Sequence, residues 1–162
     1  GFWRVLVETG HITAAILFLI IAASMYSRML GVATLPAQFN EWLASSGLTL
    51  NEVMAVCVLM VIPLGTIIDT ASIVLIVAPL FLGALEGLGG NPIWFGIVIV
   101  IAAEIGLLTP PLGISCFVIK STIRDASISL YDIFAGAFPF AVIMFLVLIL
   151  IIAFPWLSLA LL

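Results

Sequence analysis

Charge is what this sequence has least of. Of its 162 residues only 7% are charged, four basic and eight acidic, where an ordinary soluble domain carries about 25%. So little polar surface cannot cover a globule in water, which excludes a soluble domain and points to lipid as the solvent. Four cations cannot neutralise a run of phosphates, so a nucleic-acid binder is excluded too. Histidine occurs once, at His11, and cysteine twice, at Cys57 and Cys116. These three are far apart, so no metal-ligand spacing exists, and the cysteines read as small buried apolar residues. A serine–histidine pair would have to use His11, and no HExxH, GxSxG or phosphate-loop pattern occurs. An enzyme is therefore not expected, nor an organic cofactor. The chain opens Gly-Phe-Trp-Arg, without Met and without a signal-peptide pattern. A piece of a longer polypeptide is expected.

What is present is apolar sequence: 65% hydrophobic residues and a mean hydropathy of +1.48. A spanning helix needs ~20 mostly apolar residues, and 12–30 supplies one. Residues 33–50 place Leu35, Phe39, Trp42 and Leu43 at helical spacing with polar residues off that face, an amphipathic helix suited to the membrane interface. The stretch 52–85 is broken by Pro63 and Gly65, then by Thr66, Asp69 and Thr70. Its two apolar arms, 52–62 and 70–82, are too short to cross a ~30 Å core at 1.5 Å per residue. They predict a re-entrant hairpin, whose bare backbone at membrane depth must face protein or a cavity. Residues 92–122 read as a spanning helix broken at Thr109-Pro110-Pro111-Leu112-Gly113, and 136–160 as a final span. The fold class is thus all-α integral membrane, a single domain over 1–162. Counting crossings puts Arg4, Lys120 and Arg124 on one side and Arg28 alone on the other, so the three are expected in the cytoplasm.

Two interruptions carry the candidate chemistry. In the first, Gly65, Thr66, Asp69 and Thr70 form a polar tip with freed carbonyls. A carboxylate at that depth costs ~2.5–3.5 kcal/mol and needs a cavity, a cation or a partner. Asp69 either lends charge to a cation site or caps the second arm's free N–H groups, and the two roles are compatible. In the second, Thr109, Pro110, Pro111 and Gly113 break a helix as transporters do, where such breaks supply cation ligands and anion-facing dipoles; a plain kink is the alternative. Glu104, in the same half-helix, is a possible supporting carboxylate, either a ligand, a proton carrier or a structural partner.

The stretches GTIIDTASIVLIVAPLF, NPIWFGIVIVIAAEIGLLTPPLGISCFVI and FAGAFPFAVIMFLVLILIIAFPWLSL, preceded by ETGHITAAILFLIIAASMYSRML, resemble the C-terminal half of the large membrane (DctM-type) subunit of TRAP transporters. The resemblance covers essentially the whole chain. It implies the second inverted repeat of an elevator-type sodium symporter in the bacterial inner membrane, multi-pass, importing organic acids of the C4-dicarboxylate or sugar-acid type. Its partners would be a small membrane subunit and a periplasmic substrate-binding protein. Sodium would be the coupling ion, held through backbone carbonyls of Gly65, Thr66, Thr109 and Gly113. The chain departs from the family after Ala78-Pro79, where Phe81-Leu82-Gly83 continues without a second proline. A related sodium/dicarboxylate or citrate symporter without a binding protein, and a non-transporting structural membrane subunit, are the competing expectations.

Overall fold

Glycine and proline mark the main breaks in the chain, at Gly65, at Pro110–Pro111 and at Gly113, and the architecture follows from them. The computed structural model describes residues 2–123 and 127–160. Among the described residues it is all helical: α1 (Phe2–Val32), α2 (Leu35–Ser45), α3 (Leu50–Gly65), α4 (Thr70–Gly87), α5 (Pro92–Leu108), α6 (Ile114–Thr122), α7 (Leu130–Ala153) and α8 (Trp156–Leu159). With its composition, this is an all-α membrane protein. Arg124, one of the three cations used for orientation, lies outside the described residues.

The helix starts are chemically specified. Glu52 accepts from both the N–H and the hydroxyl of Thr49, opening α3. Asn91 accepts from the N–H of Ile93 ahead of α5, whose first residue is Pro92. Ser129 and Asp132 form a reciprocal cap on α7.

Several bounds differ from those the sequence predicts. α1 begins at Phe2 rather than near residue 12, because nothing in 2–11 breaks a helix. α3 is 16 residues and α4 is 18, against predicted arms of 11 and 13. Pro63 lies inside α3, two residues from its end, and the helix runs through it. Pro79 and Pro139 likewise lie inside α4 and α7. Gly83 and Gly87 belong to α4, and Gly83 lies against the side chain of Asn40 on α2. α4 and α7, with α1, are long and apolar enough to cross a membrane, while α3 and α5 are shorter.

α5 is the axis of the molecule. Its Trp94, Phe95, Val98, Ile99, Ala102, Ala103 and Ile105 are buried, facing α3, α4 and α7. Phe39 of α2 meets Phe81 of α4 edge-on at 5.0 Å, which seats the amphipathic helix on the hairpin. α1 and α7 expose most of their large apolar side chains, as a lipid-facing helix does.

Trp94 is buried, and its indole N–H donates to the Ile151 carbonyl at 2.8 Å. Position 155, four residues beyond Ile151, is a proline without an N–H, so that carbonyl has no helical donor. Trp94 supplies one and ties the start of α5 to the end of α7.

Candidate functional site

The turn 66–69 between α3 and α4 closes on the last turns of α5. Gly65 and Gly106 cross backbone on backbone. A Cβ at Gly65 would sit 2.6 Å from the Ala103 carbonyl oxygen, and one at Gly106 would sit 2.6 Å from the Gly65 Cα. Only glycine permits that approach. Gly106 was not among the residues singled out in the sequence. Its signal was its place in an apolar helix that also holds Gly96, Ala102 and Ala103, which does not by itself distinguish a packing glycine from a neutral one.

At the other end of the turn, Asp69 caps α4. One carboxylate oxygen accepts from the Ser72 N–H and the other from the Ser72 hydroxyl. Its carboxylate is exposed and its geometry is that of the capping role. Thr66 is buried, and its hydroxyl donates to the Pro63 carbonyl at 2.8 Å. Thr70 donates to Oε1 of Glu104 at 2.7 Å. The partner of Glu104 is therefore within this chain, on the helix that follows the turn.

The break that follows α5 is a consequence of proline spacing. Helical donors to the Gly106 and Leu107 carbonyls would come from positions 110 and 111, both proline. The Thr109 N–H turns to Gly106 at 2.9 Å instead. That move deserts the Ile105 carbonyl, which the Thr109 hydroxyl then takes at 2.6 Å. The Leu107 carbonyl has no helical donor at all. Gly113, at φ +46°, turns the chain into α6, and a Cβ there would meet the Phe134 ring at 2.7 Å.

The carbonyls can now be sorted by availability. Among the described residues, those of Gly65, Thr66 and Thr109 take no backbone hydrogen bond outside the helices. The Gly113 carbonyl accepts from the N–H groups of Cys116 and Phe117, at 2.8 and 3.4 Å. It serves as the N-cap carbonyl of α6. The three threonine hydroxyls have each committed their proton, so each presents oxygen lone pairs only.

Gly65 and Thr70 both attach within residues 103–106 of α5, and the break begins at Thr109. At 1.5 Å per residue the two interruptions lie about one helical turn apart along α5. Pro110 and Thr109 also line a cleft of about 870 Å³ with Ile62, Ile105 and Phe134. Pro111 and Gly113 are outside that lining.

The family model for the DctM component of tripartite ATP-independent periplasmic transporters matches residues 2–157. The C4-dicarboxylate TRAP transporter large permease protein DctM of Pseudomonas aeruginosa is 31% identical over 158 residues, which is 98% of this chain and 36% of that protein. The 2,3-diketo-L-gulonate large permease YiaN of Escherichia coli is 29% identical, covering 94% and 35%. The sialic acid large permease SiaM of Vibrio cholerae is 28% identical, covering 99% and 37%. The chain spans about a third of the length of these relatives.

Proposed function

Because the chain belongs to the DctM component family of tripartite ATP-independent periplasmic transporters, a family of permease subunits and not of enzymes, we propose that it is the sodium-binding C-terminal part of a large permease subunit. In this reading the full protein sits in the bacterial inner membrane as a multi-pass permease. It imports organic acids of the C4-dicarboxylate or sugar-acid type together with sodium. A small membrane subunit and a periplasmic binding protein complete the system. α3 and α4 form a re-entrant hairpin, α5 and α6 a broken spanning helix, and the piece is the second of two inverted repeats that move as an elevator.

The observation that carries this is the meeting of the two interruptions on one stretch of α5. Backbone that leaves its helix at membrane depth is tolerated only where protein or a polar cavity satisfies it. Here the carbonyls of Gly65, Thr66 and Thr109 and the lone pairs of their hydroxyls supply hard oxygen donors, the kind suited to a hard monovalent cation and unsuited to a soft metal. Gly113 contributes the turn, and Pro110 and Pro111 contribute by withholding N–H groups.

The test is uptake into proteoliposomes by the full-length complex with its binding protein, using succinate, 2,3-diketogulonate and sialic acid as probe substrates. Uptake driven by an inward sodium gradient, without ATP, is expected for at least one of them. Thr66→Val and Thr109→Val each remove a hydroxyl oxygen while keeping the shape, and each is expected to raise the sodium concentration needed for half-maximal uptake. Uptake indifferent to sodium would sink the proposal.

A further inference from the structure

Resting on that reading, we infer that Glu104 is a positioning residue, a latch that holds the hairpin tip on the broken helix through the Thr70 hydroxyl. Thr66, Asp69 and Thr109 make their side-chain hydrogen bonds within four residues of themselves. The Thr70–Glu104 bond instead joins residues 34 positions apart on different helices, at 2.7 Å. Thr70 is the first residue of α4, directly after the Asp69 cap. Glu104 is half-buried in α5, where nearly every neighbouring residue is apolar.

The geometry explains why a carboxylate stands there. The tip leaves α3 at Gly65, which is fixed on α5 by close backbone contact with Ala103 and Gly106. It re-enters helix at Thr70, fixed on α5 by Glu104. Successive residues of a helix point ~100° apart, so Glu104 and Gly106 grip the tip from different sides of α5. A four-residue turn pinned at both ends keeps its carbonyls in one arrangement. The first pin is steric and permanent. The second is one hydrogen bond between side chains, so it is the one that can open when the tip moves.

A latch of this kind needs an acceptor oxygen and no change of charge, which separates it from a proton carrier. The experiment compares Glu104→Gln, Glu104→Leu, Thr70→Val and the Glu104→Leu/Thr70→Val double variant in the full-length complex, measuring sodium dependence of uptake. Glu104→Gln keeps an acceptor at the same place, and its half-saturating sodium concentration is expected to stay near that of the parent. Glu104→Leu and Thr70→Val are each expected to raise it roughly tenfold, the scale of one part-buried polar group left without its partner. The double variant should be no worse than either single one. Glu104→Gln as impaired as Glu104→Leu, or effects that multiply in the double variant, would overturn the latch.

A second readout does not need transport. Ile67 is exposed in the tip, and both native cysteines are buried, so a cysteine introduced by Ile67→Cys reports tip exposure through its rate of thiol labelling. Sodium is expected to slow labelling in the parent and to do so only at higher concentration when Glu104→Leu is added. Identical sodium curves would count against the latch alone. A parent complex with no sodium response in either assay would instead count against the transport reading beneath it.

Discussion

The turn between α3 and α4 is closed by its own residues, whereas the break between α5 and α6 is held open by what its residues lack. In the first, Asp69 caps α4, Thr66 answers Pro63, and two glycines press the turn onto α5 until no side chain fits. In the second, two prolines remove donors, Thr109 covers two of the deserted carbonyls, and Gly113 turns the chain beneath Phe134 beside a large apolar cleft. In the cation site proposed above, the two constructions would serve different ends. One side must be rigid enough to hold a geometry, and the other must offer carbonyls that helix formation would have consumed.

The largest expected effect breaks the rigid side. Gly106→Ala puts a methyl group against the backbone of Gly65, where nothing flexible yields, and is expected to destabilise the purified transporter by ~1–3 kcal/mol in denaturant unfolding. Gly96, in the same helix, has open space around its missing Cβ. There the same substitution is expected to be neutral or to stabilise by ~0.5–1 kcal/mol. Equal outcomes at the two glycines would mean that the α3–α5 crossing is not what holds the turn.

A smaller effect is expected at the open side. Gly113→Ala carries the left-handed penalty of ~1–2 kcal/mol plus the clash with Phe134. Adding Phe134→Ala should remove the clash but leave the backbone penalty, so unfolding measurements should show partial recovery. Full recovery would show that Gly113 is needed for space and not for its φ.

The smallest concerns the cap. Asp69→Ala is expected to cost ~1 kcal/mol through loss of the α4 cap, and Asp69→Asn only a few tenths because Asn still accepts from Ser72. If Asp69→Asn leaves stability intact but abolishes sodium-driven uptake, the charge acts on the ion and the turn is more than self-contained. If both stability and uptake survive, the carboxylate is a cap alone, as a purely structural subunit would also have it.

Much of this was legible in advance, for reasons that differ by residue. The two interruptions could be read because proline and glycine act on their own chain whatever surrounds them. The caps at Asp69, Asn91 and Ser129 depend on neighbours two or three residues away, and only the first was read. The arms of the hairpin were read too short, because α3 continues through Pro63 to Gly65 and α4 continues through Gly83 to Gly87. The roles of Gly106 and Trp94 could not be read, because they lie in contacts with helices distant along the sequence. Glu104 could be noticed as a lone acid among apolar residues, but its partner could not be named.

By itself, then, the amino-acid order determined the solvent and the breaks: too few charges for water, helix wherever the backbone must satisfy itself in lipid, and a break where two adjacent prolines withhold donors. Those are local or compositional constraints, felt equally in any arrangement of the chain. Packing alone decided that Gly65 meets Gly106, that Thr70 finds Glu104, and that Trp94 rescues the Ile151 carbonyl. Each of these depends on which helices become neighbours, and that is settled by the shapes of whole faces rather than by any short run of residues.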